Sequence, residues 1–328
     1  MLLNICLKNL YSYLIIVFSI FKVVLLSEYK SRFSIPIYNK FKKKMYLDQM
    51  TIDEIKERIK ESDIIIVPCG SIENHGPPAP VGEDTLIGTY IVERIAYDTG
   101  ITVAPPVIYG SHPSHHYGMP GTIPIDKEAY IGYVRSIVKW LSNTGFKKII
   151  LFNSHGQEYV LPIVKDEVII KDGVHAIILV TSWWSWVRDL LQAGKELAPG
   201  IKLETPFIHA DELETSVILY VAKELCDKSK LSISKVEKMV GLIPDKWIDK
   251  AGNVYGRPFG WYDVSSYMEI HHYPIGVVGD ASKASIEKGK IIVEETIKRI
   301  IEFIEWFKKA YPPGNVPKVW PEKEDFKY

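Results

Sequence analysis

Short, almost wholly apolar runs alternate along this chain with longer segments in which apolar residues recur every three or four positions. Asp63–Cys69 (DIIIVPC), Ile101–Val107, Lys148–Phe152 (KIILF) and His175–Thr181 (HAIILVT) are of the first kind. Their length and β-branched content predict strands, and apolar residues at consecutive positions predict burial on both faces. Ile52–Lys60, Leu86–Tyr97, Ala129–Thr144 and Glu212–Leu225 are of the second kind and predict helices. In the third of these, Ile131, Val134, Ile137, Val138 and Leu141 share one side. Thr51 and Glu54 carry the capping-box signature ahead of the first helix. A last helix is predicted over Ala281–Lys309, capped by Asp280, with Ile286, Val293, Ile297, Ile300, Ile304 and Phe307 at helical spacing. Alternation of this kind packs a parallel sheet between layers of helices. The expected fold is therefore α/β: a three-layer α/β/α sandwich with a mostly parallel central sheet.

The pattern opens at Met45 and closes near Tyr311. This predicts one domain over 45–311, an N-terminal extension over 1–44 and a C-terminal surface strap over 312–328, rich in proline and charge. Leu10–Phe21 is apolar, but Lys22 interrupts the run before Val23–Leu26, short of the roughly 18 residues a membrane span needs. No small-residue cleavage site follows Leu26. The extension is read first as upstream sequence or a misplaced start, then as a membrane anchor over 10–26, then as a cleaved signal. Unless the anchor is genuine, the expected location is the cytoplasm.

Composition narrows the function. The 328 residues are 47% hydrophobic, ample for a core, so the bulk of the chain is not disordered. Forty Lys and Arg balance forty Asp and Glu, which excludes nucleic-acid binding through a basic surface. The three cysteines, Cys6, Cys69 and Cys226, lie far apart without CxxC spacing. A disulfide scaffold and a zinc finger are excluded, and a reducing compartment fits.

Ligands of α/β sheets bind beyond the carboxyl ends of the strands, and there the ionisable residues gather. The first strand is followed by Gly70-Ser71-Ile72-Glu73-Asn74-His75-Gly76-Pro77 and then Asp84; the second by His112, His115 and His116 and the turn Met119-Pro120-Gly121-Thr122; the third by Asn153-Ser154-His155-Gly156-Gln157-Glu158. The fourth leads into Ser182-Trp183-Trp184-Ser185-Trp186, and a later helix opens with His209-Ala210-Asp211-Glu212-Leu213-Glu214. Glu73 and His75, two apart on extended chain, face the same side. Asp84 can return to them past the Gly76-Pro77 bend, His155 arrives from the neighbouring strand end, and Glu214 adds a carboxylate from a first helical turn. Three carboxylates and two imidazoles suit a pair of divalent ions with one carboxylate bridging, and this mixed set does not choose among zinc, manganese and iron(II). Two such ions acidify a water and polarise the carbonyl it attacks. His112, His115 and His116 fit a substrate loop or a solvated loop equally, the tryptophans fit core rather than pocket, and Ser71 and Ser154 lack triad spacing.

Gly70–Pro77 with Asp84, Met119–Thr122, Asn153–Gly156 and His209–Ser216, in this order, resemble the signature of the creatininase (creatinine amidohydrolase) family, as does Gly276-Val277-Val278-Gly279-Asp280 before the last helix, and the tryptophan run resembles the aromatic segment of creatininase. The resemblance spans about 45–311. It implies an α/β/α metallohydrolase, two divalent metal ions per subunit, a small-molecule substrate and a homo-oligomer. It gives Glu73, His75, Asp84, His155 and Glu214 the ligand roles, with Asp84 as the bridge, and His209 proton transfer to the leaving atom. His116, Gly121 and Trp184 fall to substrate binding. The chain departs from the family at Pro78, Asp211 and Gln157, the last standing where creatininase places a glutamate ligand. Creatinine is therefore doubtful as the substrate, and Glu158 is a candidate substrate contact or base. The leading expectation is hydrolysis of a C–N bond in a cyclic amide or formamide. The alternative is C–C cleavage of a keto-inositol, as by a 3-dehydro-scyllo-inosose hydrolase. The third, from another class, is a metal-free binding protein with the same fold. Arg188 and Arg257 are the cations available to a phosphate-bearing substrate.

Overall fold

A computed structural model describes residues 35–234, 247–249, 258–260 and 275–317. The apolar run Leu10–Leu26, Arg257, the His271–His272 pair and the end of the strap lie outside them.

The chain folds as α1 (Ile52–Glu61), β1 (Ile64–Cys69), α2 (Glu83–Thr99), β2 (Thr102–Val103), α3 (Lys127–Thr144), β3 (Lys148–Asn153), α4 (Leu161–Ile170) and β4 (Ile177–Ser182). It continues through a small hairpin, β5 (Glu196–Ala198) with β6 (Ile201–Lys202), to α5 (Glu212–Val221) and, near the C-terminus, the long α6 (Ile286–Ala310). The main sheet runs β2-β1-β3-β4, every pair parallel, with β1 and β3 in register over six residues from Ile64↔Lys148 to Cys69↔Asn153. Because β1 is central, its side chains alternate between two cores. Ile64 and Ile66 pack with α2, α5 and α6, and Ile65 and Val67 with α3 and α4. Burial on both faces is why these strands read as unbroken apolar runs. The expected α/β/α sandwich is the observed one.

Local chemistry sets the boundaries. Thr51 and Glu54 make the full capping box that starts α1. The strand expected over Ile101–Val107 keeps only Thr102–Val103 in the ladder, with Val107 rejoining through a lone bridge to Cys69. Pro105 and Pro106 between them have no N–H to donate. The last helix starts later than expected. Asp280 caps a short turn over Ala281–Lys283, Ala284 is extended, and Ser285 caps α6 by accepting the Lys288 amide at 3.3 Å. The helix expected to reach Leu225 leaves helical geometry at Ala222 and finishes as a 3-10 turn.

The strand order fixes where a site can form. The chain leaves β1 toward β2 on one side and later returns to β3 on the other, so the loops after β1 and β3 diverge and open a crevice between them. Opposite this crevice, at the start of the same strands, Lys148 is fully buried. Its Nζ lies 2.6 and 2.8 Å from the two oxygens of Asp63 and 3.1 Å from the Pro312 carbonyl. Asp63 also accepts the Gly314 amide at 2.8 Å, so this ion pair ties the Pro312 and Gly314 backbone to the sheet.

Candidate functional site

The crevice between β1 and β3 collects buried polar groups. Glycine at position 70 lets α2 start directly over the end of β1: a Cβ there would stand 2.6 Å from the Thr85 Cα. That approach brings Asp84, in the first turn of α2, back against the loop after β1. Gly76 takes φ +74°, the left-handed region open to glycine, and turns the chain away after His75. The Pro120-Gly121 turn braces the same loop, with Thr122 Oγ1 accepting the Asn74 amide at 3.0 Å and Ile72 O accepting the Ile123 amide at 3.0 Å.

Glu73, His75, Asp84, His155 and Glu214 are brought together, all buried. Asp84 presents a different oxygen to each imidazole: Oδ1 stands 3.3 Å from His75 Nε2 and Oδ2 3.0 Å from His155 Nδ1. Ser71 donates to Oδ2 at 2.7 Å and holds the carboxylate in that pose. Glu73 Oε2 is 2.9 Å from His155 Nδ1 and 3.8 Å from His75 Nε2, while its Oε1 meets His116 Nδ1. Glu214 Oε2 lies 3.9 Å from His75 Nε2 and accepts the Ala210 amide at 2.6 Å. Ala210 holds a left-handed φ of +49°, rare for a residue with a Cβ, and aims that amide at the carboxylate. Asp211 caps α5 through the Leu213 and Glu214 amides at 2.8 and 3.0 Å, fixing the first turn that carries Glu214.

The outer nitrogens of the two imidazoles are anchored. His75 Nδ1 is 3.2 Å from Glu73 O, and His155 Nε2 is 3.1 Å from Ser111 O. Donating there leaves the lone pairs of His75 Nε2 and His155 Nδ1 turned inward, the arrangement a metal-binding histidine needs. Those two atoms make no hydrogen bond among the described residues. Buried polar atoms without partners are costly, and converging carboxylates more so, unless a cation occupies the middle. Four overlapping groups have ligand atoms mutually within 4.8 Å: Glu73/His75/Asp84, His75/His209/Glu214, Glu73/His112/His155 and Glu73/His116/His209. The residues fit a metal.

Electrostatics point the same way. Burial opposes ionisation of Glu73, yet the imidazoles of His116 and His155 hold its carboxyl well below the usual range. Burial alone would depress His155, but Glu73 and Asp84 outweigh it and raise the imidazole to about 10. His75 is likewise raised against its burial, chiefly by Glu83 and Asp84. Glu214 is pushed up by burial. Protons thus sit where a cation would otherwise compensate the carboxylates.

The other expected residues fall differently. His209 is buried, with its ring centroid 4.6 Å from that of His75. Its Nε2 lies 3.0 Å from Asn74 O and its Nδ1 3.8 Å from Glu214 Oε2, and burial depresses it to about 3, so it is neutral. His116 is buried against Glu73. Gly121 is exposed in the bracing turn. Trp184 packs between Trp183 and Phe207 in the α2/α5/α6 core. Glu158, half-buried in the turn after β3, belongs to none of the four groups. Arg188 lies exposed in a short turn. Sequence reasoning missed Glu83, fully buried beside Asp84, without a hydrogen bond among the described residues and pushed up to about 8 by burial. An acid in a first helical turn ordinarily signals only the helix dipole, so the sequence held no distinct mark of it.

A family model described as creatinine amidohydrolase matches residues 48–304. The 3-dehydro-scyllo-inosose hydrolase of Thermotoga maritima is 43% identical over 275 residues, covering 83% of this chain and 86% of that protein. Among solved structures, a creatininase with manganese superposes with a TM-score of 0.64 at 23% identity, covering 83% of this chain and 100% of its own. A mutant creatininase of Zn–Zn type does so with a TM-score of 0.64 at 23% identity, over 82% of this chain and 98% of its own. Among the described residues no helix is long and apolar enough to cross a membrane.

Proposed function

Because the chain belongs to the creatininase family of hydrolases, we propose that it opens the ring of a keto-inositol by adding water across a C–C bond, using two divalent ions held by Glu73, His75, Asp84, His155 and Glu214. The observation that carries the metal reading is the pose of Asp84, whose two oxygens separately address the inward nitrogens of His75 and His155. The substrate reading rests on the relative at 43% identity, against 23% for the creatininase structures. Between the two bonds considered from the sequence, that difference favours C–C over C–N.

Zinc, manganese or iron(II) would supply Lewis acidity here, sharpening a water as nucleophile and polarising the ring carbonyl. The chain's own residues do the rest. Glu73 and Asp84 keep the centre anionic, and Ser71 fixes the pose of Asp84. With Nε2–H given to Asn74 O, the neutral His209 turns the lone pair of Nδ1 inward, placed to collect a proton and return it. In the ring opening, the water oxygen bonds to the carbonyl carbon, the adjacent ring C–C bond breaks, and the departing carbon takes the proton that His209 carries. The substrate this step needs carries a second ketone next to the departing carbon, which takes up the electron pair of the broken bond and survives in the product, an open-chain keto acid. His116, beside Glu73, and the Gly121 turn and Trp184 are the residues offered for contact with the ring. Glu158, in the turn after β3, stays a candidate contact to the substrate or base. Cytoplasmic action fits the free thiols of Cys69 and Cys226, and assembly of several copies belongs to the same proposal.

The test is a substrate panel offered to the full chain loaded with zinc or manganese: keto-inositols, lactams and N-formyl amines, followed by NMR. Ring opening of a keto-inositol to a keto acid is expected. Amine or formate release from the other classes, with keto-inositols untouched, overturns the substrate reading.

A further inference from the structure

We propose that His112 is a metal ligand of this chain, completing the coordination sphere that Glu73, Asp84 and His155 begin. The proposal rests on the two-ion reading above and extends it to a residue on a different loop, the one after β2.

Three observations converge on His112. It is fully buried, and its ring centroid stands 4.4 Å from that of His155. Its ligand atom lies within 4.8 Å of those of Glu73 and His155. Its Nδ1 is 3.2 Å from the Gly110 carbonyl, while Nε2 is buried with no hydrogen bond among the described residues. A carbonyl can only accept, so Nδ1 carries the hydrogen and Nε2 the lone pair. This is the polarity of a ligating imidazole, with one nitrogen oriented by a backbone carbonyl and the other bare. A core histidine kept for packing would be expected to find a donor for that lone pair.

The loop is built to hold this pose. Gln157 Oε1 accepts the Ser111 amide at 3.1 Å, and its Nε2 reaches toward the carbonyls of Cys69 and Gly70 at 3.4 and 3.5 Å. One amide thus couples the end of β1 to the residue preceding His112. A carboxylate could not make the same set of contacts, because it has no hydrogen for the two carbonyls. Ser111 in turn accepts from His155 through its carbonyl, so the two imidazoles are indexed to one backbone unit. Gln157 is a positioning residue in this scheme, and its side chain is spent before any ion arrives.

The consequence is chemical. Glu73, Asp84, His155 and His112 make two oxygen and two nitrogen donors, a set that suits zinc, iron(II) or cobalt(II) better than manganese or magnesium, which favour oxygen. His112 therefore biases this position toward the borderline ions.

The test reads metal directly. The full chain, stripped and reloaded with cobalt(II) or zinc, is compared with His112→Ala and His112→Asn by equilibrium dialysis, cobalt visible absorption and zinc X-ray absorption. Expected are affinity at one of the two ions weakened at least 10–100-fold, the scale seen for losing even an outer partner of a ligand, an altered cobalt spectrum, and one imidazole fewer per chain around zinc. Preference for zinc over manganese should shrink in both variants. Two ions bound with unchanged affinity and spectrum in the variants overturn the His112 assignment and leave the two-ion reading standing. A wild-type chain that takes up no ion overturns both. Melting of the stripped proteins checks folding, and where His112→Ala does not fold, His112→Asn decides.

Discussion

Replacing Lys148 with Met should unfold this protein far more readily while leaving its chemistry intact. Lys148 is fully buried, and its ammonium is surrounded by both oxygens of Asp63 and the Pro312 carbonyl. Methionine fills most of the same space but leaves the Asp63 carboxylate buried with only the Gly314 amide and backbone for company. Removing one partner of a buried ion pair costs about 3–5 kcal/mol, because the survivor cannot return to water. An exposed bridge is worth about 0–1 kcal/mol. Spread over a chain of this size, at about 2–4 °C per kcal/mol, the buried case predicts a fall in Tm of roughly 6–20 °C. The double variant Lys148→Met with Asp63→Asn removes the stranded charge while keeping an acceptor for Gly314, and should recover more than half of the loss. Asp63 and Lys148 lie at the starts of β1 and β3, six residues of strand from the site, or about 20 Å at the usual rise. Turnover per folded molecule should therefore match the wild type. The assay is urea unfolding in the presence of chelator, so that metal binding does not add its own stabilisation. A loss below about 1 kcal/mol in the single variant, or no recovery in the double, would refute the account of a desolvated pair.

Asp84→Asn should weaken both ions together, by about 100-fold or more, since one carboxylate serves both imidazoles; calorimetric titration showing one ion unaffected would remove Asp84 from the bridge. Stability without metal should fall with rising pH. His155, raised to about 10, contributes fully below its unfolded value of about 6.5, and its contribution is lost as pH climbs through 10, so Tm in chelator should decline across that window. Metal competes with the same protons, so apparent affinity should rise over the same window with protons released on binding, as titration in weak buffer would show. Glu83→Gln should stabilise the chelated protein at pH 8–9 by several degrees and have little effect near pH 5. A buried carboxyl pushed up to about 8 is tolerated while protonated and costs stability once ionised, and thermal melts at the two pH values test this.

What the sequence disclosed depended on whether the governing interaction was local or a simple period. β1 and β3 were legible because both faces are buried, so every position had to be apolar, and the capping box of α1 was legible because its partners are three residues apart. The convergence of Glu73, His75, Asp84, His155 and Glu214 was legible for a different reason. Carboxylates and imidazoles following apolar strands must lie at one sheet edge, and parallel order puts all such edges on the same side. Where two local signals competed, the reading failed. Val103 and Val107 look like one strand until Pro105 and Pro106 are counted as missing donors, and Asp280 looked like the cap of α6 although Ser285 was equally eligible. α4 escaped notice because apolar residues occupy most of its circumference, so Leu161, Val164 and Val168 do not stand out as a stripe. Burial of single polar residues was invisible. Glu83 differs from a solvated first-turn acid only in what the distant chain stacks on top of it, and His112 from a loop histidine only in where the Gln157 amide draws the Ser111 backbone. Those are properties of convergence rather than of any segment. The side chains that distinguish this site from a generic metal cluster are thus the ones whose neighbours are farthest away in sequence.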